Sequence, residues 1–477
     1  MQLHHQTTTS SSSLKPARGL LVVLPTELVD HIIRHVFIGI GIREGRVLRL
    51  VCRVFNTLAS RYGLPDVIAY LHPSDFNAIR RLASQPHVAM GVRTFTYVPD
   101  MVLLPLSLDQ FNADYHEMRR VDIEEAPTAA ARRKLRKKRI LTNSEIHTHW
   151  QRSKAIASMQ LALIDDEDDI EFLEDILPRL LNLRELRMQS ELNTMMMSAD
   201  DDDDETTAVR RYRKTPFSSG LTEFTWRPLQ PEGVRALNGL LEALPQENKV
   251  TTIRAGAINW RFFDPTNRVP LSRLFDMAPR LARIGFKIET GWDEESEMFG
   301  TEAGMCRQTM KQGVLRELLH RTTNLELLYV DFEAISDNDG YPAHLHEIIG
   351  PNQHWPKLKS VELGGFECER HDLERFLRNH AGTLEEVFLR NISLQRTSWA
   401  AFLPEMHAIC PMLHNAAITG PLYGENETTQ EAEFWEVSDS TRSRDQLADA
   451  ITGYLTCRDH DWHENPFVSF PMGSWEA

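Results

Sequence analysis

At 477 residues the chain is long enough for roughly two to four compact units. Its 42% hydrophobic and 25% charged residues are those of a globular protein, and a net charge of -15 argues against general binding to nucleic acid or anionic membranes. Five scattered cysteines, odd in number, read as reduced and mostly buried thiols of a cytoplasmic and/or nuclear protein.

Residues 1–18, with the Thr7–Ser13 polar tract, read as a disordered tail. The Leu20–Leu24 run is too short for a signal-peptide core and no segment is long enough to span a bilayer, so the sequons at Asn391 and Asn426 are expected to carry no sugar. Residues 20–62 form the first folded unit, a pair of short helices separated by Gly39, Gly41 and Gly45. Leu28, Ile32 and Val36 make one apolar row on the first helix, and Val29, Ile33 and Phe37 a second. The second helix repeats this doubling with Val47, Leu50 and Val54 beside Leu48, Val51, Phe55 and Leu58. One stripe per helix closes a hairpin, so the other is left for another domain or another protein.

The order Leu24-Pro25, Glu27-Leu28, Ile32-Ile33 and Leu50-Val51-Cys52-Arg53 with Phe55 resembles an F-box, the adaptor-docking module of cullin-RING ubiquitin ligases. That resemblance covers about forty residues. It implies that Leu24, Pro25, Leu28, Ile32, Val51 and Phe55 dock the ligase's small adaptor subunit. The plainer reading is a helical hairpin packed on the rest of the chain.

Residues 63–170 read as a linker and helical region with one strand, Val92 to Val98, and a basic helical run from Arg132 to Arg139 taken as a solvated face. From residue 171 to about 420 an apolar signature recurs: Leu183-x-x-Leu186-x-Met188, Leu221-x-x-Phe224-x-Trp226, Val250-x-x-Ile253-x-Ala255, Leu281-x-x-Ile284-x-Phe286, Leu325-x-x-Leu328-x-Val330, Leu358-x-x-Val361-x-Leu363, Leu384-x-x-Val387-x-Leu389 and Leu413-x-x-Ala416-x-Ile418. A helical stretch precedes each, which is the leucine-rich-repeat arrangement at about thirty residues per repeat. None keeps the usual Asn or Cys after its strand, and residues 190–215 form an acidic insertion. Residues 421–477 are a cap or a tail. The fold class is therefore α/β, an N-terminal helical F-box-like domain followed by an irregular leucine-rich-repeat solenoid, or horseshoe. Together the two parts resemble the fungal class of F-box proteins with degenerate repeats.

Residues between the inward apolar positions line the concave sheet. Arg187, Arg227, Arg254, Arg283 and Lys287 are expected in neighbouring rows, with Tyr329 and Phe388 as apolar anchors farther along. Such a face suits a target protein with an acidic or phosphorylated segment. Alternatively, the arginines pair with Glu185, Glu223 and their neighbours. Asp165–Asp169 and Asp200–Glu205 lack calcium-loop spacing, and Cys457, His460 and His463 lack a fourth ligand, so no metal and no cofactor are expected. No catalytic motif is present. The expectation is a non-catalytic substrate receptor of an SCF-type ligase; a repeat scaffold with a helical cap is the alternative.

Overall fold

The computed structural model describes residues 24–41, 45–102, 107–125, 129–137, 139–189, 226–227, 232–290, 299–332, 340–425, 431–437, 446–457 and 464–469. The expected tail, the whole insertion at 190–215, Asn426, His460 and His463 lie outside them. The chain divides into two compact units, residues 1–65 with 85–92, and residues 66–84 with 93–477.

In the first unit, α1 (Thr26–Ile40) starts where the Pro25 carbonyl accepts from the N–H groups of Leu28 and Val29, at 3.0 and 3.1 Å. It runs through Gly39 and stops at Gly41, whose φ of 89° suits a residue without Cβ. The second apolar run does not form one helix. Residues Arg46–Leu50 make a 3-10 turn, Cys52 is extended, and α2 (Arg53–Ser60) begins only then. That break resets the helical phase, turning Phe55, Leu58 and Ala59 onto Val29, Ile33 and Phe37, with Leu48 and Tyr62 at the edge. Tyr62 also ties the hairpin shut by donating its hydroxyl to Asp30 at 2.9 Å.

In the second unit the strands are β1 (Asp66–Tyr70), β2 (Thr94–Val98), β3 (Met101–Val102), β4 (Glu185–Met188), β5 (Trp226–Arg227), β6 (Thr252–Asn259), β7 (Arg283–Glu289), β8 (Leu327–Phe332), β9 (Ser360–Gly364), β10 (Glu367–Glu369), β11 (Glu386–Arg390), β12 (Ser393–Gln395), β13 (Asn415–Glu425) and β14 (Ala432–Val437). Among the described residues, nine pair in the order β1-β2-β4-β6-β7-β8-β9-β11-β13. Neighbours in this series are parallel, so each step needs a crossover, and helices such as Arg268–Met277, Arg370–His380 and Trp399–Ile409 supply it. The result is a mixed α/β unit with a large parallel sheet, resembling leucine-rich-repeat proteins.

The repeat signature falls in register. Val67, Phe95, Leu186, Ile253, Ile284, Leu328, Val361, Val387 and Ala416 are successive partners across the sheet. Two residues on, Ala69, Tyr97, Met188, Ala255, Phe286, Val330, Leu363, Leu389 and Ile418 form the parallel row. No member of either row is more than 4% exposed, so both point into the layer between sheet and helices.

Three features depart from the sequence reading. The sheet starts at Asp66 rather than after residue 171, because Leu64-x-x-Val67-x-Ala69 and Val92-x-x-Phe95-x-Tyr97 carry the signature too. The Trp226 signature leaves the series: β4 pairs directly with β6, while β5 pairs antiparallel with β3. At the far end the sheet continues past residue 420, where β13 runs to Glu425 and takes β14 as an antiparallel neighbour.

A turn recurs after the strands. Gly365, Asn391 and Gly420 occupy equivalent positions after β9, β11 and β13's Thr419, and all are left-handed, with φ of 70°, 52° and 78°. From there the chain enters a second parallel row of β10, β12 and the end of β13. Gly and Asn tolerate that conformation best.

Candidate functional site

The stripe left over from the hairpin core is exposed. Leu28 is 51% exposed, Ile32 43%, Leu50 84% and Val51 59%, while Leu24, Pro25, Val47 and Val54 are exposed as well. These apolar side chains lie on α1 and just before it, on the 3-10 turn and its C-cap, and at the start of α2, and none belongs to the hairpin core. Phe55 departs from the expected docking set. At 8% exposure it packs inside the hairpin, because α2 starts at Arg53 and its phase carries Phe55 inward. This exposed apolar surface is the candidate docking face of the unit.

The second candidate surface is the open face of the sheet. Its rows read Thr94, Glu185, Thr252, Arg283, Leu327, Ser360, Glu386 and Asn415, then Thr96, Arg187, Arg254, Gly285, Tyr329, Glu362, Phe388 and Ala417. Arg187 and Arg254 both reach Glu185, at 2.6 and 3.6 Å. Arg390 lies 3.6 Å from Glu362 and 3.9 Å from Asp331, to which Tyr329 donates its hydroxyl at 3.3 Å. Burial, then the nearby Asp331, pushes the Tyr329 hydroxyl far above its usual range, so it stays a donor. The stem of Arg254 and the ring of Tyr329 flank Gly285, where a Cβ would sit 3.4 and 3.6 Å from them.

The expected cluster of five cations is thus rearranged. Arg187 and Arg254 are tied to Glu185, Lys287 is 7% exposed, Arg283 is exposed, and Arg227 lies on β5, outside the row. Tyr329 is buried and hydrogen-bonded rather than a free anchor, and Phe388 is half-buried. Asp169, in the acidic run Asp165–Asp169, is 2% exposed and held by the Arg235 guanidinium through both carboxylate oxygens. What sequence reasoning missed here is the pairing of helices: Asp169 and Arg235 lie far apart in sequence but on neighbouring crossover helices.

Cys306, Cys368 and Cys410 are buried, and burial pushes the Cys368 thiol well up; Cys52 and Cys457 are exposed. Among the described residues, no group of three or more His, Cys, Asp or Glu side chains converges on one point, and no helix is long and apolar enough to cross a membrane.

No family model matches this chain, and no curated protein matches it. Among solved structures, the leucine-rich repeat-containing protein LegL7 from Legionella pneumophila is similar over 82% of this chain and 97% of that one, at 10% identity and a TM-score of 0.26. A likeness of that size adds nothing to what the ladder itself shows.

Proposed function

We propose that the chain is a non-catalytic protein-recognition subunit whose N-terminal helical unit docks the adaptor of a cullin-RING, SCF-type ubiquitin ligase. The open face of the sheet then holds a target protein for ubiquitination. The observation that carries this reading is the exposed apolar stripe of Leu28, Ile32, Leu50 and Val51, which the hairpin does not use for itself. Leu24 and Pro25 extend it at the start of α1, and Phe55 supports it from inside.

In this reading the chain supplies no nucleophile or base. It raises the effective concentration of a bound target near a ubiquitin-loaded enzyme carried elsewhere in the assembly, and proximity replaces a bimolecular encounter. The open face offers the target a surface of mixed character: Arg283 on β7, and Glu362, Glu386 and Phe388 farther along on β9 and β11. A segment that meets it must bring complementary charge of both signs.

Co-purification tests the ligase half. Wild-type protein recovered from cells is expected to bring adaptor and cullin with it, and a Leu24→Ala, Pro25→Ala double variant to bring less. Should neither subunit accompany the wild type, the coarser reading of a protein-interaction scaffold stands in its place.

A further inference from the structure

His31 and His35 lie one turn apart on α1 and both are exposed. Their Nε2 atoms are 3.0 Å apart, with ring centroids at 4.4 Å and planes at 88°. The two side chains therefore converge on one point from successive turns, each presenting the same nitrogen to it. One ring donates its N–H to the other's lone pair.

We propose that this pair is a bidentate site for a late first-row divalent metal ion. Imidazole nitrogens at i and i+4 on a helix are the spacing that places two histidines on one zinc ion. The distance fits as well. With metal–nitrogen bonds of about 2.0–2.1 Å, two ligands at a right angle stand about 2.9 Å apart, and at a tetrahedral angle about 3.4 Å. The observed 3.0 Å falls between these limits, so ligation keeps the spacing of the two nitrogens while the rings turn until both lone pairs meet off the line between them. The ion takes the place of the shared hydrogen. The donor ring changes tautomer, carrying its hydrogen on Nδ1, and both Nε2 lone pairs then point at the metal with no net loss of protons.

Imidazole selects copper(II), nickel(II) and zinc(II) over calcium and magnesium, which prefer oxygen, and copper(II) is the tightest of the series. Since no third His, Cys, Asp or Glu converges on a common point among the described residues, the remaining coordination positions stay open. They lie on the exposed side of α1, which also carries Leu28 and Ile32. A metal bound there is accessible to a donor atom from another molecule. This site stands whether or not the hairpin docks a ligase adaptor.

The test is copper(II) titration of the full chain, followed by calorimetry and by electron paramagnetic resonance, compared with His31→Gln, His35→Gln and the double variant. The comparison has to be by difference, because the chain holds 19 histidines. Both side chains are exposed, so all variants should unfold as the wild type does. The double variant is expected to lose one equivalent whose spectrum shows two coupled nitrogens. Each single variant should weaken that equivalent about tenfold or more, since removing even an outer partner of a metal ligand costs that much. Unchanged stoichiometry in the double variant assigns the copper to other histidines and overturns the proposal. A single variant that binds as tightly as the wild type overturns the pairing.

Discussion

Asp169 places a carboxyl group at 2% exposure, and the Arg235 guanidinium is what makes that burial tolerable. The hydrogen bond to Asp169 raises the pKa of Arg235, so the pair supports itself. Arg235→Met leaves the buried carboxyl without its cation, and urea unfolding should then show a loss of about 3–5 kcal/mol. His380 is a second buried titratable group. Its Nδ1–H donates to the Phe376 carbonyl at 2.8 Å and its Nε2 accepts from the Trp355 N–H at 3.0 Å, which fixes the neutral tautomer. Burial pushes its pKa down to about 4. An unfolded histidine titrates near about 6.5, so the unfolded chain binds the extra proton first as the pH falls. The stability tied to neutral His380 is complete above that value and is lost on going down to pH 4, a change of roughly 3 kcal/mol. Unfolding curves at pH 7 and pH 4 should show the loss, and His380→Gln should show a shallower one. Phe55 makes a third case: removing its ring by Phe55→Ala should destabilise the hairpin by about 3–5 kcal/mol, visible as earlier melting of the N-terminal unit.

Among the elements, the recurring left-handed turn does most to define the repeat. A Cβ at Gly365 would run into the Phe332 carbonyl of the preceding strand, and one at Gly420 into the Asn391 side chain. Gly365→Ala should therefore cost about 1–3 kcal/mol or more, whereas Asn391→Gly should change little, and thermal unfolding separates the two. The ladder was readable in the sequence because a strand buried on one face must alternate, and L-x-x-L-x-L records that alternation directly. Yet Leu64-x-x-Val67-x-Ala69 is fainter, since Pro65 stands inside the pattern and Leu64 is half-buried. In Val92-x-x-Phe95-x-Tyr97 all five residues of β2 are buried, so periodicity could not choose the inward face; pairing with β1 and β4 chooses it. The Trp226 signature misled for the opposite reason: three apolar residues occur easily, and long-range pairing put this strand against β3. The same limit explains the hairpin. The doubled stripe was legible, but the 3-10 turn and the extended Cys52 that set the phase of α2 left no periodic trace.

For the whole molecule, the net charge of -15 coexists with an open face whose cations are mostly paired or buried. Arg283 stands out as exposed there, and Arg254 lies one strand away in the adjacent row. If the open face holds the target, Arg254→Glu with Arg283→Glu should weaken target capture while leaving adaptor binding unchanged, so the two surfaces can be separated in one pulldown. The exposed stripe is the feature on which the proposed function depends. Its direct test is calorimetry of the purified full chain with the purified adaptor subunit of a cullin-RING ligase, for the wild type and for a Leu28→Asp, Ile32→Asp variant. Both changed positions are exposed, so the variant should unfold at the wild-type midpoint. Saturable one-to-one binding by the wild type, weakened about tenfold or more in the variant, is the predicted result. No binding by the wild type, or equal binding by the variant, contradicts it.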